Sequence, residues 1–332
     1  MKRSSILRMV SRWAILSLAA LFALSAASYA QPVPNVLRVG FVGIQPREAP
    51  IYAAFIKKMS ELGYVEGRNF AFEFIQARNA DDYPSAYTEV VGRRVDIVMA
   101  AGNELALRAA LAAAAGTIPV VFIAVDFDPW QRGYVANLAR PATNITGIFV
   151  QQLELAKKRV ELVREILPDA RQLGLLFDIG SRDQAEAAAE AAQALGFEAR
   201  LIEVTGQPPD YPSALARMDD LPGTPIVIPA TPIFFRDRTA LMRLLLERHI
   251  PSISAFREIA EAGSLMSYGV ELGDLFREVS RYIDRVARGA RPSELPIEPP
   301  TKFDFVVNLK TMKALGLNMP PTLIARADEV IE

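Results

Sequence analysis

The chain has 332 residues, with 37 Lys and Arg against 38 Asp and Glu, a single His and no Cys. This length and a hydrophobic content of 51% are typical of a globular protein with two domains. The balanced charge argues against a general nucleic-acid binder, and the lack of Cys excludes thiol catalysis, zinc–thiolate sites and disulfides. One His also leaves few ways to build an imidazole-based enzyme.

Residues 1–30 have the three-part pattern of a secretory signal peptide. Four basic residues precede an apolar run at residues 13–27, and the segment ends in Ser28-Tyr29-Ala30, with small residues where signal peptidase reads. The run is short for a membrane span of about 20 residues, although an uncleaved N-terminal anchor is the alternative. We predict cleavage after Ala30 and a periplasmic mature protein, whose 33 basic and 38 acidic residues give a charge of −5.

Short β-rich runs alternate with amphipathic helical stretches over residues 37–125. The run IPVVFIAV at residues 118–125 is continuous and β-branched, which is typical of a strand buried on both faces. Strands and helices that alternate in this way predict βαβ crossovers and a parallel sheet. The predicted strands are residues 37–44, 69–76, 96–100 and 118–125, and the predicted helices are residues 52–62, 83–93 and 104–115.

The pattern restarts after an extended link at residues 146–150. This link, residues 268–271 and the Pro-rich residues 292–300 are not Gly/Ser-rich, so we predict three crossings between two lobes, which together form a hinge. The predicted strands are residues 172–178, 197–204, 225–229, 251–254 and 264–270, with 303–308 as the final strand; the predicted long helices are residues 153–167, 183–195, 234–248 and 272–288.

These elements predict an α/β protein with two doubly wound parallel-sheet lobes of similar size and a three-crossing hinge. The predicted signal peptide occupies residues 1–30. The N-terminal lobe would comprise residues 36–146 and 271–294, and the C-terminal lobe residues 147–270 and 295–332. We expect the mature protein to be a monomer.

Candidate ligand-binding residues follow from this fold. In doubly wound sheets, ligands bind outside the carboxyl ends of the strands, where helix N-termini offer free N–H groups. Hydroxyls, one Arg and several aromatic rings at these ends fit a small solute with a carboxylate and an apolar body. Capping or core packing is the alternative role for the Asn and the aromatic residues. The candidates are Gln45, Asn103, Asp126, Asp128 and Trp130 in the first lobe, and Ser181, Thr231, Phe256, Arg257 and Tyr268 in the second.

Catalytic signatures are absent from the sequence. It contains no phosphate-binding loop, dinucleotide-binding Gly-rich turn, nucleophile elbow or His-Glu-x-x-His. The lone His249 sits where a helix ends, which is the ordinary position for a ring that can carry positive charge. Asp126 and Asp128 are two residues apart, but no second constellation supports paired-carboxylate hydrolysis. We therefore expect no catalytic residue, no metal site and no cofactor.

A set of short segments, taken in order and spacing, carries a family resemblance across residues 36 to 320. These segments resemble the ABC-transporter substrate-binding proteins of the tryptophan/tyrosine-binding type, which have a type I periplasmic binding protein fold. The resemblance implies a non-catalytic receptor that hands a small solute to an ABC permease in the membrane. The segments are ELGYVEGRN at 61–69, VDIVMA at 95–100, IPVVF at 118–122, LARPATNITG at 138–147, VNLKT at 307–311 and ALGL at 314–317.

The chain departs from the family pattern at three turns that would contact the solute. Gly102-Asn103-Glu104 replaces a Gly-Thr-Pro type of turn, Asp128-Pro129-Trp130 replaces Asp-Pro-Val, and the loop at residues 268–272 also differs. The solute therefore stays open, with an aromatic or branched amino acid favoured. Two other functions remain as alternatives: a sensor for a membrane histidine kinase or chemoreceptor, and a secreted α/β enzyme such as a sugar isomerase or hydrolase.

Overall fold

Two β-sheets organise the protein, as the sequence predicts. The computed structural model describes residues 36–332, and the predicted signal peptide, residues 1–30, lies outside the described residues. The first sheet has five parallel strands in the order β2-β1-β3-β4-β5. Its strands are β1 (Leu37–Gly43), β2 (Phe70–Gln76), β3 (Ile97–Gly102), β4 (Val120–Ala124) and β5 (Ile145–Phe149).

Three helices connect the first four strands of this sheet. They are α1 (Pro50–Glu61), α2 (Tyr83–Gly92) and α3 (Glu104–Ala114). Pro50 suits the first turn of α1, because its missing N–H would have no partner there. Every residue of β4 is buried, which confirms that the β-branched run forms a strand covered on both faces.

The second sheet has seven strands in the order β12-β11-β10-β9-β8-β6-β7. Its strands are β6 (Gln172–Phe177), β7 (Glu198–Glu203), β8 (Ile226–Val227), β9 (Ser252–Ser254), β10 (Met266–Gly269), β11 (Asp304–Asn308) and β12 (Glu329–Ile331). The helices between β5 and β10 are α4 (Gln152–Ile166), α5 (Arg182–Ala194), α6 (Tyr211–Ala216), α7 (Pro232–Arg236), α8 (Arg238–Glu247) and α9 (Arg257–Glu261).

One pair of strands in the second sheet, β10 with β11, is antiparallel. The reason is topological. β10 runs towards the first sheet and the chain leaves the second sheet at its end, so the returning strand starts from the same edge and runs the opposite way. After β11 come α11 (Leu309–Ala314), α12 (Pro321–Ile324) and β12, which pairs parallel with β11.

The chain passes between the two sheets three times, after β5, after β10 and before β11. The second passage leads into α10 (Leu272–Ala287), which packs against α1, β4 and β5 of the first sheet. The third passage lies along β5, since the Thr146 hydroxyl donates to the Leu295 carbonyl (3.0 Å) and the Phe149 N–H donates to the Glu298 carbonyl (3.2 Å). Backbone pairing thus fixes the hinge at one edge of the first sheet.

Three predicted elements differ from the structure. Residues 146–150, predicted as a link that ends the first lobe at residue 146, belong mostly to β5, because Ile145–Phe149 pairs with β4 and is fully buried. The predicted helix at 234–248 is two helices, since the chain turns at Asp237, where the carboxylate accepts hydrogen bonds from Arg236 and the Tyr211 hydroxyl. The predicted final strand, 303–308, is followed by β12.

No helix among residues 36–332 is both long enough and apolar enough to span a membrane. Within the same range, no group of three or more His, Cys, Asp or Glu side chains is arranged to hold a metal ion.

Candidate functional site: a cavity between the two sheets

The carboxyl ends of strands from both sheets surround a cavity. Its volume is about 70 Å³. The first sheet contributes the turn after β1, and the second contributes the turns after β8 and β9. The lining residues are Phe41, Gly43, Ile44, Gln45, Ile51, Tyr52, Tyr83, Ala101, Gly102, Ile123, Val125, Thr231, Pro232, Phe235, Phe256, Leu272, Leu275 and Phe276. We call it the aromatic cavity.

Aromatic rings from both sides form most of its wall. Tyr52 packs edge-to-face on Phe41 (centroids 5.2 Å apart) and on Phe276 of α10 (5.4 Å). On the opposite side, Phe235 and Phe256 meet at 5.7 Å with an interplanar angle of 88°. Such edge-to-face contacts hold rings in fixed orientations, so the cavity presents a preformed apolar surface.

A glycine makes room for one of these rings. A Cβ atom on Gly43 would lie 2.3 Å from the Tyr52 hydroxyl, so the side chain at position 43 has to be a hydrogen for the ring to reach the cavity. Burial raises the pKa of the Tyr52 hydroxyl well above its ordinary value, and a hydrogen bond with the Gln45 backbone offsets part of that rise. Tyr52 is therefore a neutral hydroxyl in the wall.

Gln45 gives the aromatic cavity a polar group with unused hydrogen-bonding capacity. Its side chain is 8% exposed, and its Nε2 amide has no protein partner. A buried donor without an acceptor costs roughly 1–3 kcal/mol, so a solute that accepts a hydrogen bond there recovers this free energy. The Thr231 hydroxyl, in contrast, accepts from the Phe234 N–H (3.1 Å) and caps α7.

The two sheets approach closely around this cavity. A Cβ atom on Gly102 would lie 3.0 Å from Pro232 Cγ, and one contiguous apolar cluster contains both Phe41 and Phe256. Gln207 on the second side accepts from Asn79 Nδ2 (2.9 Å) and donates to Asp81 Oδ2 (2.6 Å) on the first. The structure thus presents the lobes in a closed arrangement.

Two further cross-lobe contacts lie at the margins of the cavity. Arg236 Nη1 donates to the Arg78 carbonyl (2.7 Å), and Arg132 forms an ion pair with Asp183. Arg132 also lies 3.3 Å from Glu104 through its Nε. We call the two Gln207 hydrogen bonds, the Arg236–Arg78 hydrogen bond and the Arg132–Asp183 ion pair the cross-lobe contacts.

The structure brings some of the sequence-predicted residues together. Gln45, Thr231 and Phe256 line the aromatic cavity. Asn103 caps α3 by accepting from the Ala106 N–H (3.0 Å), so its capping role is present in the structure. Ser181 is fully buried, and its hydroxyl donates to Asp178 Oδ1 (2.8 Å), which fixes that carboxylate.

The other five predicted residues, Asp126, Asp128, Trp130, Arg257 and Tyr268, do not line the aromatic cavity. Trp130 is 55% exposed on the loop after β4, where Asp128 Oδ1 accepts from the Trp130 N–H (2.8 Å). Arg257 points to the far edge of its sheet and pairs with Glu329 (2.6 Å) in β12, so its charge is already engaged. The Tyr268 ring stacks on Phe303, with centroids 6.3 Å apart.

A second, polar cavity of about 350 Å³ lies beside the first hinge passage. Asp126, Asp128, Arg132 and Gln152 are among its lining residues. Val125 lines the aromatic cavity and the next residue, Asp126, lines the polar one, so the loop after β4 contributes to both. Buried Gln152 leaves its Nε2 amide without a protein partner, as Gln45 does.

Sequence reasoning missed several residues of the aromatic cavity. Tyr52, Tyr83 and Phe276 lie in helices, whereas most of the predicted site residues follow strands. Phe276 had a signal: α10 has a strongly amphipathic sequence, yet it follows a hinge passage and must cover the first sheet. Asp178 was also missed, although it follows the buried strand β6 as Asp126 follows β4.

A cavity between two parallel-sheet lobes with a three-passage hinge defines a protein of the type I periplasmic binding protein fold, whose architecture encloses small solutes. The family model described as "ABC transporter substrate binding protein" matches residues 45–331. The chain belongs to this family.

Individual relatives are distant. A tyrosine-binding protein of Clostridioides difficile (strain R20291) is 23% identical over 271 residues, which cover 79% of this chain and 75% of that protein. A Streptococcus pneumonia ABC domain solved in complex with L-Trp is 21% identical, with a TM-score of 0.80, covering 90% of this chain and 100% of its own. The ligand-free, open structure of a Clostridium difficile substrate-binding protein with adhesive properties is 22% identical, with a TM-score of 0.64 and coverages of 90% and 99%.

Proposed function

We propose that the protein is the extracytoplasmic receptor of an ABC transporter for aromatic amino acids. It holds the solute between its lobes and delivers it, chemically unchanged, to a membrane permease. The observation that carries this proposal is the aromatic cavity, whose walls are supplied by both lobes.

The cavity chemistry supports an aromatic solute in particular. Tyr52 and Phe276 stand on one side and Phe235 and Phe256 on the other, so a flat apolar ring contacts both lobes at once. A solute that contacts both lobes binds the closed arrangement better than the open one, and this difference drives closure. The named ligands of two relatives, tyrosine and L-Trp, belong to the same class.

Export and a permease partner are parts of the same proposal. The signal-peptide pattern of residues 1–30 supports release into the periplasm, and the family supports a permease in the membrane. N-terminal sequencing of protein from the periplasmic fraction tests export, with Gln31 expected as the first residue. Retention of Met1 in a membrane fraction would contradict cleavage.

Thermal unfolding with a panel of solutes tests the ligand class. A solute at 100 times its Kd stabilises the folded protein by about 2.7 kcal/mol, which raises the Tm by roughly 5 °C in a chain of this size. L-Trp, L-Tyr and L-Phe are expected to give this shift, and sugars are not. A panel in which no aromatic amino acid raises the Tm would refute the proposal.

A matched pair of variants separates binding from stability. Phe256→Leu removes one ring of the cavity, and Phe197→Leu makes the same change in the second lobe outside it. Both variants are expected to lower the Tm, but Phe256→Leu alone is expected to weaken L-Trp binding by calorimetry, roughly two- to tenfold for a lost aromatic contact of about 0.5–1.5 kcal/mol. Equal Kd values in the two variants would place the solute elsewhere.

A further inference from the structure

Two carboxylates from opposite lobes lie close together near the aromatic cavity. Asp126 follows β4 in the first lobe, and Asp178 follows β6 in the second. The position that a Cβ atom of Gly180 would occupy lies 3.4 Å from Asp126 Oδ2 and 3.6 Å from Asp178 Oδ1. The two carboxylate oxygens therefore lie at most about 7 Å apart, beside a residue that has no side chain.

Asp126 has unused hydrogen-bonding capacity. Its side chain is 4% exposed, and its Oδ1 accepts from the Glu104 N–H (3.1 Å), but its buried Oδ2 has no protein partner. Asp178 Oδ1 accepts from the Gly180 N–H (3.1 Å) and from the Ser181 hydroxyl (2.8 Å). These contacts orient both carboxylates, and one buried oxygen stays open.

Positive charge from the protein does not reach this pair. Among residues 36–332, no Lys, Arg or His forms an ion pair with either carboxylate, and the neighbouring Arg132 is shared between Glu104 and Asp183. Burial raises the pKa of Asp126 well above its ordinary value, and the charge of Asp178 raises it further. Burial also raises the pKa of Asp178. In the ligand-free site a proton neutralises part of this charge, and a cation from outside can take the place of that proton.

The acidic pair is adjacent to the aromatic cavity, although neither carboxylate is one of its lining residues and Asp126 lines the polar cavity. Val125 lines the aromatic cavity and is bonded directly to Asp126, and the Val125 N–H donates to the carbonyl of Gly102, another lining residue (2.9 Å). The charges of Asp126 and Asp178 also contribute to the raised pKa of the cavity residue Tyr83, behind the larger effect of burial. An ammonium group attached near a bound ring is a compact cation with three N–H donors, which suits these oxygens.

We propose that Asp126 and Asp178 jointly bind the ammonium group of the solute, so that the site selects aromatic amines and amino acids over the same molecules without the amine. This inference rests on the proposed function, and it specifies that the solute carries a positive charge. It also gives the cation a part in closure, because each lobe supplies one of its two counter-ions.

Calorimetry with matched compounds tests the proposal. L-Trp and indole-3-propionate share the ring and the carboxylate and differ in the amine, and tryptamine keeps the amine without the carboxylate. Wild-type protein is expected to bind L-Trp at least 100-fold more tightly than indole-3-propionate and to retain measurable affinity for tryptamine. Asp126→Asn and Asp178→Asn are each expected to weaken L-Trp binding at least tenfold and to leave indole-3-propionate unchanged or bound more tightly.

The thermal stability of the ligand-free variants provides a second measurement, in which the expected change is opposite to the loss of affinity. Removing one of two facing buried charges relieves repulsion, so both Asn variants are expected to melt at the same temperature as the wild type or higher while binding L-Trp more weakly. Asp210→Asn is the control, because it removes an exposed carboxylate of the same lobe and an Asn can still accept the capping hydrogen bond from the Ser213 N–H. It is expected to change neither Kd nor Tm.

Each outcome decides between the two proposals. If indole-3-propionate binds as well as L-Trp, or if both Asn variants keep wild-type affinity for L-Trp, the ammonium assignment is wrong while the aromatic site stands. If an Asn variant loses L-Trp binding together with several degrees of Tm, the carboxylate is structural and the assignment is also wrong. If none of the three indole compounds binds the wild type, the proposed function itself fails.

Discussion

Replacing Gln207 with Ala tests whether the cross-lobe contacts, which lie outside the aromatic cavity, affect the affinity of the protein for its solute. Gln207 lies on an exposed loop of the second lobe and does not line the aromatic cavity. Its amide accepts from Asn79 (2.9 Å) and donates to Asp81 (2.6 Å), both in the first lobe. These hydrogen bonds exist when the lobes are closed and are lost when they part.

The size of the effect follows from the two bonds. An exposed hydrogen bond contributes about 0.5–1 kcal/mol, and a bond to a carboxylate lies at or above the upper end. The pair therefore favours closure by about 1–2 kcal/mol, a factor of roughly 5 to 30 in the equilibrium constant. Because the solute is retained in the closed form, its Kd is expected to rise by the same factor in Gln207→Ala.

The rise is expected in the dissociation rate, since the solute enters the open form, which lacks these bonds. Trp130 offers a signal for stopped-flow measurements, because it is the one Trp among residues 36–332 and lies on the loop that carries Arg132. L-Phe is the suitable ligand, as it contributes little fluorescence of its own. The association rate is expected to change less than twofold.

Gln193→Ala is the matched control, since Gln193 is an exposed amide on α5 of the same lobe. A double variant with Asp81→Asn provides a second check, because two partners in one contact should show non-additive effects. A dissociation rate that stays within twofold of the wild type in Gln207→Ala, or that rises equally in Gln193→Ala, would refute this account of closure.

Three further predictions concern charged residues. Arg257→Ala is expected to leave the Kd for L-Trp within twofold and to lower stability by less than about 1 kcal/mol in a denaturant titration, because Arg257 pairs with Glu261 and Glu329 at a half-exposed position away from the cavity. Acidification is expected to weaken L-Trp binding and to stabilise the ligand-free protein. Burial, and then the charges of Asp178 and Glu104, raise the pKa of Asp126 in the folded protein above its value in the unfolded chain. As the pH falls, the folded protein therefore takes up this proton before the unfolded chain does, which favours the folded state. Calorimetry and urea unfolding at a series of pH values check this, and equal slopes in Asp126→Asn would contradict it. Arg159→Ala is expected to cost about 2–5 kcal/mol in urea unfolding, because the fully buried guanidinium donates to the Tyr268 carbonyl (2.9 Å) and to Gln152 Oε1 (2.7 Å); a loss below 1 kcal/mol would show that these bonds contribute little.

Much of the fold could be predicted because buried helices and strands have apolar residues at regular intervals in the sequence. The continuous β-branched run that forms β4 is too short for a buried helix, so it predicts a strand covered on both faces. Strand ends also located part of the site, since Gln45, Thr231 and Phe256 follow β1, β8 and β9 and line the aromatic cavity. These are local signals, and each was read from fewer than ten consecutive residues.

Long-range contacts account for what the sequence did not predict. The sequence predicts that Arg257 binds a solute carboxylate, but Arg257 pairs with Glu329, which lies 72 positions away in a strand that was not predicted. Asp178 is a candidate site residue only because Asp126 of the other lobe lies close to it. Residues 145–149 form the strand β5 because they pair with β4. Helix positions such as Tyr52 and Phe276 looked like ordinary core residues, because a cavity wall and a core use the same side chains.

The position of α10 in the chain has a consequence for synthesis. This helix covers α1 and β4 of the first lobe, yet it is encoded after most of the second lobe. A ribosome must therefore translate the chain to residue 287 before the first lobe can bury the apolar side chains of β4 and α1 that α10 covers. The nascent protein carries this surface through most of its translation.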